Sequence, residues 1–249
     1  MIIAFIILLD RGASCMLSLE KYKERKKRIR QGGKIIAMIN LKERLGAFIY
    51  GQHGCPTGFV GRLVGEKMVH QHQPETDWTV SQSALQPTDQ VLEIGFGAGR
   101  AIALMSEQVT QGHIYGIDLS HAMLQSARRR NAQAIRAGRV TLQQGNMTSL
   151  PFADQQFDKI LSIHTFYFWS DTPQILQEIF RVLKPGGKLI LALATAMTGP
   201  DGKRTFGPLQ AVLEEQVLPT MQQIGFSTAH LEEGPDSRQF NNVAVIGEK

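Results

Sequence analysis

Three glycines alternate with other residues directly after a short apolar run, in the stretch VLEIGFGAGR. Gly95, Gly97 and Gly99 leave the backbone bare, so that a ligand or a neighbouring helix can approach it closely. Asp118 follows 23 residues after Gly95, in GIDLS. A carboxylate at that distance is typical of a group that accepts the two hydroxyls of a ribose. Together the loop and the acid predict a bound nucleoside cofactor.

The spacing of the loop favours one kind of nucleoside over another. A dinucleotide site has the pattern G-x-G-x-x-G, which would need a glycine where this chain has Arg100. Glu93 stands two residues before the first glycine, and a carboxylate there would repel a pyrophosphate but attract a cation. S-adenosylmethionine carries a sulfonium, an ammonium group and a ribose diol, so it fits these acids better than NAD does.

Alternating strand and helix patterns surround the loop and must position it. An α/β chain of this kind predicts a doubly wound, mostly parallel sheet with ligands beyond the carboxyl ends of its strands. A helix over 209–224 is followed by two strands around the turn GPDS, which places one antiparallel strand near the edge. Pro185-Gly186-Gly187 is expected to separate a helix from a strand. The predicted strands of the parallel part are 91–94, 113–117, 140–143, 157–163 and 188–194.

The segment before the sheet divides into a basic arm, residues 1–40, and a helical cap, residues 41–86, which belongs to the domain 41–249. The arm holds 9 Lys and Arg against 3 Asp and Glu, after the uncharged run MIIAFIILL. That run is too short to span a bilayer, and no positive residue precedes it as in a secretory signal. Three interpretations stay open: a weak membrane-surface anchor, a disordered tail, or an artefact of an upstream start codon, with Met38 as the natural start.

Composition and charge argue against several function classes. Outside the arm the chain holds 18 Lys and Arg against 19 Asp and Glu, so its body offers no positive field to a nucleic acid. Two cysteines, Cys15 and Cys55, form neither a disulfide framework nor a metal cluster, and they fit a reducing compartment. We therefore predict a cytoplasmic protein with a small-molecule substrate, no nucleic-acid partner and no metal. The oligomeric state stays open.

These motifs resemble those of the class I S-adenosylmethionine-dependent methyltransferases, in the small-molecule (type 11) branch that includes the ubiquinone and menaquinone enzymes. VLEIGFGAGR matches the first motif and GIDLS the ribose motif. GNMTSLPFADQQFDKILS matches the third and fourth strands, and EIFRVLKPGGKLIL the following helix, turn and fifth strand. The resemblance covers about residues 56–249. It implies a Rossmann-like sheet of seven strands whose last strand is antiparallel, with S-adenosyl-L-methionine as the cofactor.

The resemblance also implies roles for individual residues. Asp118 would hold the ribose hydroxyls and Leu119 would pack on the adenine. The commonest family pattern has an acid where this chain has Asn146, but an amide both donates and accepts, so it can still meet the adenine amino group. The cofactor-binding residues implied are Glu93, Gly95, Gly97, Gly99, Asp118, Leu119, Asn146, Met147 and Ser162.

In this architecture the stretch HTFYFW, after the fourth strand, would face the transferred methyl. Its aromatic residues are typical of an apolar acceptor pocket, although packing against the next helix is the alternative. His164 is the candidate general base because an imidazole titrates near neutrality, against an ordinary structural histidine. GCPTGFVGRLVGEKM is expected to form a lid or a helical cap. The candidate substrate contacts are His164, Phe166, Tyr167, Trp169, Tyr50 and Arg62.

The sequence thus predicts an S-adenosylmethionine-dependent methyltransferase that acts on a small, partly apolar molecule at oxygen, nitrogen or carbon. Two alternatives stay open. One is a module that binds the cofactor without turnover, and the other is an NAD(P)-dependent oxidoreductase.

Overall fold

The structure, a computed structural model, describes residues 56–199, 203–237 and 240–249, so the predictions for the arm, for Tyr50 and for Cys55 lie outside it. The strands are β1 Gln90–Ile94, β2 His113–Asp118, β3 Val140–Gln144, β4 Phe157–Ile163, β5 Leu183–Thr198, β6 Arg204–Phe206, β7 Thr228–Ser237 and β8 Phe240–Glu248. The helices are α1 Gly58–Gln71, α2 Gln73–Gln82, α3 Arg100–Gln108, α4 His121–Arg130, α5 Ala132–Arg136, α6 Thr172–Val182, α7 Pro208–Val212 and α8 Leu218–Ile224. A 3-10 turn covers Phe166–Phe168, and a π-helical turn, Leu213–Val217, joins α7 to α8.

The strands form one sheet in the order β3-β2-β1-β4-β5-β8-β7. β1 to β5 run parallel to one another, and β8, the last strand of the chain, runs antiparallel to both β5 and β7. The predicted fold class, a doubly wound sheet of seven strands with an antiparallel last strand, is confirmed. An eighth, short strand, β6, pairs with the far end of β5 and has no counterpart in the prediction.

The core lies on both faces of this sheet. Neighbouring residues of one strand join different apolar clusters: Leu92 packs with the side chains of α6, whereas Val91 packs with those of α3. Successive side chains of a strand point to opposite faces, so each cluster covers one face. The burial of both faces fits a parallel sheet covered by helices.

The start of β5 differs from the prediction. The predicted break at Pro185-Gly186-Gly187 lies within β5, which begins at Leu183, and the register against β4 shifts between Phe157 and Lys159. Gly186 has a φ of +74°, and its amide donates to the carbonyl of Lys249 at 2.8 Å. The glycine pair therefore forms a bulge that anchors the C-terminus.

Two helices before the sheet pack near its carboxyl edge. A Cβ placed on Gly65 of α1 would lie 2.5 Å from the Cε of Met123, so α1 contacts α4 closely. The Ser120 hydroxyl, at the start of α4, donates to the carbonyl of Pro56. Arg100 of α3 pairs with Asp77 of α2 at 2.7 Å. None of the helices in the described ranges is both long and apolar enough to cross a bilayer.

Candidate cofactor and acceptor site

The three glycines of the loop after β1 have different reasons to be glycine. All three have positive φ, which other residues adopt only with strain. A Cβ on Gly95 would lie 2.3 Å from the Cγ2 of Thr165, and one on Gly99 would lie 2.7 Å from the Cβ of Ala127. A Cβ on Gly97 would meet nothing within 4 Å. Neighbouring parts of the protein therefore require Gly95 and Gly99, whereas Gly97 presents bare backbone to open space where a ligand fits.

Asp118, at the end of β2, is bonded to this loop. Its Oδ2 accepts from the Gly97 amide and its Oδ1 from the Ser120 amide, each at 2.8 Å. Burial raises the pKa of the Asp118 carboxyl, and these two hydrogen bonds oppose that rise. A carboxylate has about four lone-pair sites, so each oxygen can still accept a hydroxyl proton. The geometry suits the role predicted for Asp118 toward a ribose diol.

Glu93, the penultimate residue of β1, is a buried acid. The residue is 3% exposed, and its Oε2 has no hydrogen-bond partner within the described chain. Burial, and after it the negative charge of Asp118, raise the pKa of Glu93 to about 8. A buried carboxylate needs a partner to be stable in the charged form. This orphaned oxygen and the open space at Gly97 fit a cationic nucleoside such as S-adenosylmethionine.

Of the remaining predicted cofactor residues, Leu119 and Asn146 are exposed, Met147 is half-buried and Ser162 is fully buried. Leu119 is 53% exposed although it is apolar, as expected of a side chain that would cover a base. Asn146 accepts from the Thr148 amide at 3.1 Å, and Met147 packs against the core. Ser162 is fully buried, and its hydroxyl donates to the Ile94 carbonyl at 3.2 Å. Ser162 therefore stabilises the end of β1, directly before the glycine loop.

The aromatic stretch after β4 divides between core and surface. Phe166 is 7% exposed and belongs to the core, as the packing alternative expects, and its contact with a substrate stays a prediction. Phe168 is 42% exposed. Tyr167 and Trp169 are half-buried: the Tyr167 hydroxyl accepts from the Ala194 amide at 2.7 Å, and the Trp169 indole donates to Thr165 at 3.2 Å. These hydrogen bonds fix the rings of Tyr167 and Trp169, the chain neighbours of the exposed Phe168.

His164, the first residue of this stretch, has a φ of +55°, which is uncommon outside glycine. Its ring lies next to two residues that the sequence did not single out, His72 and Glu75 at the start of α2. The His-x-x-Glu spacing ahead of a helix was the available signal. The contact of His72 and Glu75 with His164 joins positions some ninety residues apart in the chain, and a single sequence does not show such a contact. The general-base role of His164 stays a prediction.

Arg62 of α1 lies in a different place from these residues. It lines a cavity of about 500 Å³ with residues of α1 and α4, among them Glu66 and Arg130. No residue of the glycine loop or of the 164–169 stretch lines that cavity. A substrate contact by Arg62 stays a prediction.

Comparison with known proteins adds family evidence to this geometry. Residues 92–191 match a family model described as a methyltransferase domain. The chain is 32% identical over 147 residues to the uncharacterized methyltransferase YdaC of Bacillus subtilis, spanning 58% of this chain and 79% of that protein. It is 38% identical over 112 residues to a demethylmenaquinone methyltransferase of Symbiobacterium thermophilum, spanning 45% of each. The chain thus spans about half the length of that second relative.

A solved structure of a SAM-dependent methyltransferase from Aquifex aeolicus has the same fold. Its TM-score is 0.57 at 20% identity, over 74% of this chain and 97% of that one. The sequence matches and the fold agree with the methyltransferase interpretation, and none of them supports the oxidoreductase alternative.

Proposed function

Because this chain belongs to the S-adenosylmethionine-dependent methyltransferases, we propose that it transfers the methyl group to a small, partly apolar acceptor that carries a planar ring. The cofactor, S-adenosylmethionine, supplies a methyl group made electrophilic by the sulfonium. The chain has to bind the nucleoside, hold the acceptor in line and keep water away.

The cofactor half of the proposal rests on the loop after β1. Asp118 would accept the ribose hydroxyls, Gly97 would allow close approach of the nucleoside, and Glu93 would face the cationic methionine part. The two acids differ in surroundings: Asp118 is hydrogen-bonded to two amides, whereas one oxygen of Glu93 has no hydrogen-bond partner within the described chain. That difference supports a neutralising contact at Glu93 and a hydrogen-bonding contact at Asp118.

One observation carries the acceptor half: the aromatic stretch 164–169 contacts the glycine loop through Thr165. Thr165 contacts Gly95 so closely that a Cβ there would overlap it, and Ser162 bonds to Ile94. Trp169 is linked to the loop through Thr165, to whose hydroxyl its indole donates at 3.2 Å, and Tyr167 and Phe168 belong to the short turn between these two residues. Aromatic side chains favour a flat, apolar acceptor. The demethylmenaquinone named for one relative is an acceptor of that class, and it is the first we would test.

The decisive experiment supplies the purified chain with methyl-labelled S-adenosylmethionine and acceptors. One arm uses a demethylmenaquinone-type naphthoquinol in detergent, and the other uses an organic extract of cells. We expect the label in a product that partitions into organic solvent, identified by mass spectrometry. Asp118→Ala is the control that should lose it.

A cofactor-binding module without turnover gives a different result. Calorimetry would detect S-adenosylmethionine binding, while no arm would yield a labelled product. An S-adenosylmethionine titration without heat would contradict the cofactor site itself.

A further inference from the structure

Two imidazoles and a carboxylate converge between α2 and the end of β4. His72 caps α2, Glu75 lies in its first turn, and His164 follows β4. One donor atom from each of the three lies within 4.8 Å of the others. The Nδ1 of His72 is 3.4 Å from the Oε1 of Glu75, and the His72 and His164 ring centroids are 4.5 Å apart at an angle of 50°.

The carboxylate of this cluster is buried and lacks ordinary partners. Glu75 is 1% exposed, and neither of its oxygens has a hydrogen-bond partner within the described chain; the Nδ1 of His72 lacks one too. A buried anion without hydrogen bonds is costly unless a cation lies beside it.

We propose that His72, Glu75 and His164 bind one divalent transition-metal ion of the zinc class. Two imidazole nitrogens and one carboxylate oxygen are a ligand set that zinc accepts, and three protein ligands leave a position open for an oxygen ligand. Imidazole disfavours magnesium and calcium, which prefer all-oxygen sites. The donor atoms, which lie within 4.8 Å of one another, have to move closer together to share one ion.

The surroundings of His164 suit a ligand. A histidine that binds a metal through one nitrogen commonly hydrogen-bonds a second group through the other. The Nδ1 of His164 lies 3.3 Å from the Tyr167 hydroxyl, which is itself held by the Ala194 amide at 2.7 Å. The tyrosine thereby fixes the orientation of the imidazole.

The site shares His164 with the aromatic stretch 164–169, which we propose lies beside the acceptor. An ion there would polarise an acceptor hydroxyl at its open position. That role rests on the proposed function, whereas metal binding itself does not. The small number of cysteines predicted no metal, whereas the ligands proposed here are histidine and glutamate.

The test uses the full, tag-free chain, stripped of metal and titrated with Zn²⁺ by calorimetry, with bound zinc counted by elemental mass spectrometry. We expect one ion per chain. Glu75→Gln and His72→Ala should each weaken binding more than about 100-fold, beyond the loss typical of a partner outside the ligand set. His70→Ala is the matched control, since His70 is exposed on α1 two residues away, and it should bind zinc as the parent does.

A Co²⁺ titration adds a second readout, because visible bands report the number of ligands around that ion. Sub-stoichiometric zinc, or equal binding by Glu75→Gln and the parent, would overturn the proposal. S-adenosylhomocysteine binding, measured on every variant, shows that each is folded. It also separates a failure of the metal site from a failure of the cofactor site.

Discussion

The Oδ2 of Asp118 accepts a hydrogen bond from the Gly97 amide at 2.8 Å. This bond joins the end of β2 to the loop after β1, although the two residues come from different strand–helix units. The carboxylate that would meet the ribose is therefore already oriented by the loop that would meet the rest of the nucleoside. Such preorganisation reduces the conformational cost of binding.

Asp118→Ala should weaken S-adenosylhomocysteine binding by about 100-fold or more, because the two hydrogen bonds that the ribose hydroxyls would donate to the carboxylate are lost. Calorimetry measures the dissociation constant. Asp154→Ala is the control, since Asp154 is a 72% exposed acid ahead of β4, at the opposite end of the sheet, paired with Arg181. Equal affinities of Asp118→Ala and the parent would remove Asp118 from the ribose site.

Gly97→Ala should impair cofactor binding more than stability. Gly97 and Gly138 both have positive φ, at +51° and +71°, and a Cβ on either meets nothing within 4 Å. Alanine at either position should cost about 1–2 kcal/mol in the free energy of unfolding, from backbone strain. Only Gly97→Ala adds a methyl group where the nucleoside would approach.

The measurements for this pair are denaturant unfolding and calorimetry with S-adenosylhomocysteine. We expect similar losses of stability in the two variants and a loss of affinity in Gly97→Ala alone. If Gly138→Ala lost affinity equally, the effect would come from strain and not from the site.

The glycine loop and its strands could be read from the sequence because their signals are local. The predicted strand 91–94 lies within β1, and the predicted strand 157–163 coincides with β4. β6 was not predicted because its three residues are too few to show a strand pattern. The start of β5 was not predicted because Gly186 lies in a bulge, which only the pairing of β5 with β4 reveals.

The candidate site, like the fold, could be predicted only where its signals are local in the sequence. Sequence spacing indicated Glu93, two residues before the first glycine, and Asp118, at the end of the next strand. The meeting of His164 with His72 and Glu75 depends on how α2 packs on the sheet, so it could not be read from spacing. For the same reason the sequence could not tell that Phe166 is buried while Phe168 is exposed.

Leu119→Ala should weaken S-adenosylhomocysteine binding roughly tenfold, as expected when about 1–2 kcal/mol of apolar contact is lost. Stability should change little, because Leu119 is 53% exposed in the free protein. Leu63→Ala is the matched control: Leu63 is 56% exposed on α1, and its loss should change neither quantity. A parent-like affinity of Leu119→Ala would show that the adenine lies elsewhere.

Glu93 should make both stability and cofactor affinity depend on pH. The pKa of its carboxyl is about 8 in the folded protein against an ordinary value of 4.5. Between these values the unfolded chain binds fewer protons than the folded one, so this group lowers the stability of the free protein as pH rises from about 4.5 to 8. A bound cation favours the ionised carboxylate, so affinity for S-adenosylmethionine should rise over the upper part of that window.

Calorimetry between pH 5.5 and 7.5 tests this dependence. We expect the dissociation constant to fall by up to about tenfold per pH unit in the parent, the limit for release of one proton. Glu93→Gln should flatten the profile, and 5′-methylthioadenosine, which lacks the charged methionine part, should show little dependence with either protein. A slope that persists in Glu93→Gln would assign the titration to another group, with Asp118, whose pKa burial also raises, as the first to examine.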